Sequence, residues 1–373
     1  MSEPSRPRRI VRGAGVIGAV VGIAATGVAV GVAAERLILR RRRPPAPPDP
    51  YLNERFGPLP YDECLTIPGG DGLDLYVEIV ERSDGIDLDF SADFGIANEA
   101  EPTLVFVHGF CLDMGTFHFQ RTALAQRGDY RMVFYDQPGH GRSGKLHHGE
   151  YTLESLGNAL KRVIDETVPD GPIVLVGHSM GGMTIMALAE LYPDMFGDQI
   201  QGVVLISTSA GKLDEVNFGI PDFLSRFTKP LMPVVIGAGE LTAGVVDSIR
   251  RASTDLAWLL TRRYGFGSAR PSAALVSYVE QMNSRTGTEV VTRYLRTLYT
   301  HARYPALEAL KLIQALVICG AEDKLTPPEH SAEICRILPD ALFVEVPAAG
   351  HVALLERPDI VNAALLEFLE QIY

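Results

Sequence analysis

The stretch that decides the fold runs Ile173-Val174-Leu175-Val176-Gly177-His178-Ser179-Met180-Gly181-Gly182, and a helical pattern follows it over Met183–Leu191. The four apolar residues at its start predict a buried strand. Glycines, which lack a Cβ atom, let the chain turn sharply from strand into helix, so that a serine hydroxyl projects beyond the sheet. We therefore predict that Ser179 is a nucleophile on this turn. The alternative is a glycine-rich turn in which Ser179 only caps the helix.

Five further segments resemble the strand that precedes Ser179. They are short, mostly apolar and rich in β-branched residues: Thr103–Val107, Arg131–Tyr135, Gly202–Ile206, Ala315–Cys319 and Leu342–Val346. Helical stretches separate most of them. Apolar strands that alternate with helices predict a mostly parallel central sheet with helices on both faces. Ahead of these strands, two short runs flank Gly69-Gly70-Asp71-Gly72, which predicts an antiparallel hairpin.

A long insertion interrupts this alternation of strands and helices. It lies between the strand that ends at Ile206 and the strand that begins at Ala315. Helical signals dominate the insertion, which is too long for a plain loop, so we predict a helical cap over residues 211–305. Its apolar side chains include the candidates for substrate contacts, Phe223, Phe227 and Trp258. Packing of the cap helices on the core is the alternative explanation for these side chains.

The acid that would assist Ser179 is expected later in the chain. A serine hydroxyl needs a base to take its proton, and behind a turn of this kind the acid comes first and the base second. Functional side chains gather beyond the carboxyl ends of parallel strands. Asp323 comes just after such a strand, whereas Asp340 precedes its strand and belongs to the opposite edge. We predict Asp323 as the acid, with its neighbour Glu322 as the alternative.

Two histidines follow Asp323 and compete for the role of base. His330 falls in a predicted helix, Pro328–Leu338, whereas His351 lies in the loop after Leu342–Val346. A base must lie at the same edge of the sheet as Ser179, and a loop after a parallel strand meets that condition. We therefore predict His351 as the base.

Two backbone N–H groups are needed to stabilise the oxyanion of a tetrahedral intermediate. Met180 follows the nucleophile at a helix N-terminus and is predicted to supply one. The other is expected from His108-Gly109-Phe110-Cys111, the loop after Thr103–Val107, where Phe110 is the best candidate. We interpret His108 as a structural hydrogen-bonding residue and Cys111 as a thiol that lines the pocket.

These motifs occur in an order typical of one family. His108-Gly109-Phe110 is followed by Asp136-Gln137-Pro138-Gly139-His140-Gly141-Arg142-Ser143, the serine turn, Gly320–Asp323 with Pro327, and Gly350-His351. From about Tyr61 to Tyr373 the chain resembles the α/β-hydrolase superfamily, in its branch of serine esterases, monoacylglycerol lipases and cofactor-free haloperoxidases. The resemblance implies the α/β-hydrolase fold, with a core of residues 61–210 and 306–373. It also implies that the loop from Asp136 to Ser143 is structural, with no catalytic role for His140.

Departures from relatives narrow the expected chemistry. Epoxide hydrolases and haloalkane dehalogenases resemble this chain but carry aspartate in place of Ser179. The oxyanion loop of epoxide hydrolases usually has proline where Cys111 stands, and proline iminopeptidases typically have Gly-Gly-Ser-Trp-Gly, which differs at His178 and Met180. We therefore expect a serine hydrolase that cleaves a small, apolar carboxylic ester through an acyl-enzyme. A more specific hypothesis is that this ester is derived from a lipid. The alternatives are C–C bond hydrolysis, amide hydrolysis or perhydrolysis by the same triad, or a non-catalytic binding protein.

The first 60 residues lie outside this resemblance. Residues 14–34 carry no charge and as a helix would span roughly 30 Å, so we predict a transmembrane anchor. It would connect a basic tail, residues 1–13, to an Arg/Pro-rich linker, residues 35–60, and would make the protein membrane-associated. A cleaved signal peptide is the alternative. Arginines flank the segment on both sides, so the side of the membrane on which the enzyme lies stays open.

Other ligand classes find no support in the sequence. The formal net charge is −12 although residues 1–43 hold nine arginines, so the remaining chain is acidic and would repel nucleic acid. Gly13–Gly18 matches a dinucleotide-binding glycine pattern, but no strand precedes it and an all-apolar helix follows. His147-His148 lacks the spacing of zinc ligands. We expect no cofactor and no metal, and the oligomeric state stays open.

Overall fold

The computed structural model describes residues 49–69, 72–83, 102–146, 151–215 and 261–372. Its strands form one eight-stranded sheet with the order β1-β2-β4-β3-β5-β6-β7-β8. The strands are β1 Glu63–Pro68, β2 Asp74–Val80, β3 Thr103–Val107, β4 Arg131–Tyr135, β5 Ile173–His178, β6 Ile200–Ile206, β7 Gln314–Gly320 and β8 Leu342–Val346. The pairs β1–β2 and β2–β4 are antiparallel, and the other neighbouring pairs are parallel.

Nine α-helices lie wholly within the described residues, and residues 261–265 are also helical. The nine helices are α1 His118–Arg127, α2 Leu153–Thr167, α3 Met180–Leu191, α4 Ala273–Arg285, α5 Thr288–Thr300, α6 Leu307–Leu310, α7 Pro328–Ile337, α8 Ala353–Glu356 and α9 Pro358–Ile372. Short 3₁₀ turns occur at Met114–Phe117, Pro193–Met195, Leu213–Glu215 and Tyr304–Ala306. Between consecutive parallel strands the chain is therefore mostly helical, as parallel strand connections require.

The core lies on both faces of the sheet because alternate strand residues point in opposite directions. On one face Val105 and Val133 pack with residues of α2, α3 and α7. On the other face Phe106 and Phe134 pack with residues of α1 and α9, and their rings stack with centroids 4.4 Å apart. The predicted mostly parallel sheet with helices on both faces is confirmed. The carboxyl ends of β3 to β8 meet at one edge, which places the loops that follow them side by side.

The predicted strand positions agree closely with the structure. β3, β4 and β8 have the predicted bounds, and β1 and β2 form the predicted antiparallel hairpin. The helix after the serine turn begins at Met180, three residues earlier than predicted. The glycines at 181 and 182 indicate a turn in sequence, but in the structure they lie in the first turn of this helix.

Helices α4 and α5 lie in the insertion between β6 and β7. The Tyr278 hydroxyl of α4 donates to the Gly115 carbonyl at 2.9 Å, and the Tyr294 hydroxyl of α5 donates to the Pro138 carbonyl at 3.2 Å. Both acceptors lie in loops that follow the carboxyl ends of strands. This part of the predicted cap therefore covers the same edge of the sheet as the candidate site. Residues 216–260, with the substrate-contact candidates Phe223, Phe227 and Trp258, lie outside the described residues.

The segment before β1 packs on the core. Phe56 stacks on Tyr278 with ring centroids 4.4 Å apart, and the Arg121 guanidinium donates to the carbonyl of Pro60 at 2.6 Å. Residues 50–60, which the sequence analysis assigned to the linker, therefore contribute contacts to the catalytic unit. The predicted anchor, residues 14–34, lies outside the described residues. Among the helices that the structure describes, none is long and apolar enough to cross a membrane.

Candidate active site

The turn after β5, Gly177–Gly182, forms a nucleophile elbow. Ser179 has φ 53° and ψ −119°, a left-handed backbone that strains a residue with a Cβ atom. Its N–H donates to the Ile206 carbonyl at 2.9 Å, and its carbonyl accepts the Thr208 hydroxyl at 2.7 Å. A Cβ atom on Gly181 would lie 1.9 Å from the Val107 carbonyl oxygen, so only glycine fits there. The sheet therefore holds the serine in a conformation that the chain would not adopt alone.

The structure brings together the three residues that the sequence predicted as catalytic. The Ser179 hydroxyl lies 2.8 Å from His351 Nε2, and His351 Nδ1 lies 2.9 Å from Asp323 Oδ2. The three residues are 8%, 7% and 4% exposed. A hydroxyl, an imidazole and a carboxylate in this line can pass a proton from the serine to the ring while the carboxylate stabilises the charged ring.

Hydrogen bonds keep Asp323 ionised and oriented. Its Oδ1 accepts the N–H groups of Leu325 and Thr326 at 2.8 and 3.0 Å, and its Oδ2 accepts the Thr326 hydroxyl at 2.9 Å. Burial alone would raise the pKa of Asp323, but His351 and these hydrogen bonds outweigh it and hold the pKa below its usual value. Thr326 was not among the site residues predicted from the sequence, although its position three residues after the acid was a signal for this role.

The two alternative residues lie apart from this line. Glu322, the alternative acid, is exposed. His330, the rejected base, lies in α7 as predicted, and its Nδ1 is 2.7 Å from the Ser209 hydroxyl oxygen rather than from Ser179. The structure therefore joins Ser179 to Asp323 and His351 and not to either alternative.

The predicted oxyanion donors lie on the two chain segments that meet at Ser179. A Cβ atom on Gly109 would lie 3.1 Å from the Ser179 Cβ, so the loop that carries Phe110 touches the elbow. Phe110 and Met180 also belong to one apolar cluster, together with Tyr151 and Tyr294. Within the described residues, neither the Phe110 N–H nor the Met180 N–H donates a hydrogen bond. The two predicted donors therefore lie on segments that touch at the nucleophile, and neither N–H has an acceptor among the described residues.

Glu356 holds the loop of the base in place. Its carboxylate accepts the Gly350 N–H at 2.9 Å, the Gly267 N–H at 3.0 Å and the Ser268 N–H at 2.7 Å. Cβ atoms on Gly267, Gly320 or Gly350 would each lie within 2.4 Å of a neighbouring backbone atom, so three chain segments touch here. Glu356 was not predicted from the sequence, because nothing in its local pattern indicates partners some ninety residues away.

His178 supports the base from the other side. It is fully buried, and its Nε2 donates to the His351 carbonyl at 2.9 Å. Burial, together with the nearby His351, lowers the pKa of His178 to about 3, so the ring is neutral near pH 7. The residue before the nucleophile therefore fixes the backbone of the base and does not act as a base itself.

In the part of the chain that the structure describes, no group of three or more His, Cys, Asp or Glu side chains is arranged to hold a metal ion.

Comparison with known proteins identifies the family. Residues 102–358 match the α/β-hydrolase fold family, and the chain belongs to it. The predicted family and fold are thereby confirmed. Among solved structures, an esterase from Thermogutta terrifontis shares the fold, with a TM-score of 0.61 and 22% identity over 83% of this chain and 99% of that chain.

Two curated relatives indicate the range of the family. The sn-1-specific diacylglycerol lipase ABHD11 of Mus musculus is 25% identical over 272 residues, which cover 72% of this chain and 81% of that protein. A non-heme haloperoxidase of Rhodococcus erythropolis is 28% identical over 296 residues, which cover 78% of this chain and 98% of that protein. These relatives differ in reaction, so membership of the family does not by itself specify the reaction of this chain.

Proposed function

We propose that the protein is a serine hydrolase that cleaves carboxylic esters through an acyl-enzyme on Ser179. The observation that carries this proposal is the continuous hydrogen-bonded line from the Ser179 hydroxyl through His351 to the Asp323 carboxylate. A serine without such a base is a weak nucleophile. The strained elbow and the hydrogen-bonded geometry of its partners also support nucleophilic chemistry over a purely structural serine.

In the acylation step, Ser179 Oγ attacks the ester carbonyl carbon while His351 Nε2 takes the hydroxyl proton. The positive ring is stabilised by Asp323, whose lowered pKa keeps the carboxylate charged. The Phe110 and Met180 N–H groups bind the oxyanion of the tetrahedral intermediate. His351 then returns the proton to the departing alcohol oxygen as the C–O bond breaks, which leaves an acyl-serine.

In the deacylation step, His351 takes a proton from water as the water oxygen attacks the acyl carbon. The second tetrahedral intermediate collapses to release the carboxylic acid, and the proton on His351 returns to Ser179 Oγ. The elbow and the base loop are both held by backbone contacts, so the same geometry serves both steps.

For the substrate we propose an apolar, lipid-derived ester. Support comes from the diacylglycerol lipase relative and from the apolar residues of the predicted cap. Support also comes from the uncharged segment over residues 14–34, which as a membrane anchor would place the enzyme in the plane where lipid esters concentrate. Activity on short water-soluble esters with none on monoacylglycerols would contradict this substrate class.

Labelling with a fluorophosphonate probe tests the proposed chemistry. We expect the probe to label the wild-type protein and to leave Ser179→Ala unlabelled, because the probe reacts with an activated serine. An unlabelled wild type, or equal labelling of both proteins, would contradict the proposal. A series of p-nitrophenyl esters of increasing acyl length, followed by a lipid panel, then defines the acyl group.

The haloperoxidase relative favours one alternative reaction, perhydrolysis. In this reaction hydrogen peroxide replaces water in the attack on the acyl-serine, and a peracid leaves in place of the carboxylic acid. Peroxide-dependent bromination in the presence of a short carboxylic acid would measure it. If the acyl-enzyme forms the peracid faster than it forms the carboxylic acid, perhydrolysis is the main activity.

A further inference from the structure

Gln137, in the loop after β4, touches both chain segments that carry the predicted oxyanion donors. Its backbone N–H donates to His108 Nε2 at 2.8 Å, and its side-chain Nε2 donates to the His108 carbonyl at 2.5 Å. Its Oε1 accepts the Thr184 hydroxyl at 2.8 Å. Gln137, His108 and Thr184 are all fully buried. These bonds are therefore shielded from water, where they are stronger and better defined.

The bond from the Gln137 backbone fixes the tautomer of His108. A backbone N–H can only donate, so His108 Nε2 must be the accepting nitrogen and Nδ1 must carry the proton. The Nδ1–H then donates to the Gly109 carbonyl at 2.8 Å. Burial lowers the pKa of His108 to about 4, although the bond to Gly109 opposes the shift, so this neutral tautomer persists at neutral pH.

The bond to the Gly109 carbonyl aims the Phe110 N–H. The Gly109 carbonyl and the Phe110 N–H belong to the same planar trans peptide unit and point in opposite directions. The carbonyl is held by His108 Nδ1 and by the Leu112 N–H at 3.3 Å, so the N–H of the same unit is turned away from them. The direction of one oxyanion donor is thus set by a ring whose tautomer depends on Gln137.

The side chain of Gln137 connects this loop to the other donor. Thr184 lies one turn after Met180 in α3, and its hydroxyl oxygen is 3.0 Å from the Met180 carbonyl and 2.8 Å from Gln137 Oε1. The first turn of α3 carries the Met180 N–H. The buried side-chain amide of Gln137 therefore connects the loop that carries the Phe110 N–H to the helix that carries the Met180 N–H. The separation of these two segments determines whether both N–H groups can reach the same oxyanion.

We propose that Gln137 is a positioning residue that sets the direction of the Phe110 N–H and its separation from the Met180 N–H. Among the described residues it hydrogen-bonds to neither Ser179 nor His351, and it takes no proton. The inference rests on the proposed function, because only an acyl-transfer reaction at Ser179 needs the two N–H groups to converge on an oxyanion.

Kinetics of four variants test the inference. Gln137→Met keeps the length of the side chain without its hydrogen bonds, and Gln137→Glu keeps the acceptor for Thr184 but loses the donor to His108. Thr184→Val removes the hydroxyl, whereas Thr184→Ser keeps it and is the matched control. On p-nitrophenyl esters we expect kcat to fall roughly 10- to 100-fold in the first three with KM unchanged, since a complete oxyanion donor contributes about 10²–10³. Thr184→Ser should remain close to wild type.

Inhibitor binding separates an oxyanion effect from a general loss of structure. An alkylboronic acid forms a tetrahedral adduct on the serine that resembles the transition state, whereas a matching ether of the substrate resembles the ground state. In Gln137→Met we expect the affinity for the boronic acid to fall by the same factor as kcat while the affinity for the ether is unchanged. Equal losses for both inhibitors would overturn the inference.

A spectroscopic measurement tests the inference without turnover. Labelling the full chain with carbonyl-¹³C glycine and ¹⁵N phenylalanine selects Gly–Phe amides, of which the sequence has two, Phe110 and Phe266. In Gln137→Met we expect the Phe110 signal to shift and the Phe266 signal to stay in place. An unchanged Phe110 signal, or shifts of both signals, would overturn the inference.

The outcomes separate this inference from the proposed function. If the fluorophosphonate probe labels the wild type and the Gln137 variants keep their kcat, the proposed function stands and the inference is wrong. If the wild type neither reacts with the probe nor hydrolyses esters, the proposed function fails and the positioning role fails with it.

Discussion

Two histidines at the carboxyl edge of the sheet show how the same ring can have two purposes. His351, in the loop after β8, lies between the Ser179 hydroxyl and the Asp323 carboxylate, at 2.8 and 2.9 Å. His108, in the loop after β3, bonds the Gln137 N–H and the Gly109 carbonyl, both main-chain groups. One ring is thus arranged for proton transfer and the other for holding the backbone.

The difference lies in the available negative charge. An oxygen of Asp136 is 4.0 Å from His108 Nε2, too far for a hydrogen bond. Burial, with a contribution from Asp113, also raises the pKa of Asp136 to about 7, so this carboxyl offers His108 only part of a negative charge at neutral pH. Asp323 stays ionised through its hydrogen bonds and can stabilise a positive ring. A buried histidine therefore becomes a base only where a charged carboxylate supports it.

The largest effect is expected from exchanging the two rings for glutamine. His351→Gln should lower kcat roughly 10⁶-fold, because the nucleophile loses its base. His108→Gln should lower kcat by at most about 10²–10³-fold, because it disturbs one oxyanion donor and leaves the triad intact. Steady-state kinetics on a p-nitrophenyl ester measure both. A loss in His108→Gln as large as that in His351→Gln would break the comparison.

The next effect concerns the carboxylate that supports the base. Asp323→Asn should lower kcat roughly 10⁴-fold, because the amide favours the wrong tautomer of His351 and cannot stabilise the positive ring. Glu322→Gln, at the exposed neighbouring position, is the matched control and should leave kcat unchanged. The same large loss in both variants would show that the acid is not Asp323 alone.

A smaller effect is expected where the base loop is held. Glu356→Gln replaces one acceptor oxygen with an NH₂ group that faces backbone N–H groups of Gly267, Ser268 or Gly350. We expect kcat to fall about tenfold through misplacement of His351, with little change in KM. Glu367→Gln, at an exposed position of α9, is the control and should match the wild type. A wild-type kcat in Glu356→Gln would contradict this role.

The smallest expected effect is on stability and not on kcat, and it concerns a third buried histidine, His301. Neither of its ring nitrogens has a hydrogen-bond partner among the described residues. Burial, with the nearby Arg303 and His330, lowers its pKa to about 4, below the value of about 6.5 in an unfolded chain. Between these values the unfolded state binds one proton more, so His301 makes the free energy of unfolding fall as the pH drops from about 6.5 to 4.

Replacing this ring tests the sign of that contribution. Between pH 6 and 4.5 the free energy of unfolding should depend less steeply on pH in His301→Leu than in the wild type. The two slopes should differ by about 1.4 kcal/mol per pH unit. Urea titrations at several pH values measure the slope, and above pH 7.5 the two proteins should have parallel profiles. An unchanged slope in the acid range would show that His301 is charged in the folded protein.

The parts of the site that the sequence predicted are those with local signals. The strand, glycine and serine pattern around Ser179 predicted the elbow. The positions of Asp323 and His351 after strands predicted that they lie at the same edge. The structure places all three within hydrogen-bond distance in one line. Parallel strands make this possible, since strand order and the end of each strand determine which loops become neighbours.

The parts that the sequence did not predict depend on contacts between distant segments. Gln137 bonds His108 and Thr184 across 29 and 47 positions, and Glu356 bonds Gly267 across 89. A buried glutamine or a loop glutamate has no periodic pattern that would reveal such partners. The need for glycine at position 181 also comes from a distant contact, since a Cβ atom there would lie 1.9 Å from the Val107 carbonyl oxygen.

The most direct test of the central claim is the mass of the enzyme during turnover. Wild-type protein mixed with a p-nitrophenyl ester and quenched in acid should gain the mass of one acyl group, and peptide mapping should place that group on Ser179. His351→Gln should gain none on the same timescale, because its serine is not activated. An acyl group on another side chain, such as Cys111 in the loop after β3, or turnover in Ser179→Ala, would contradict the account.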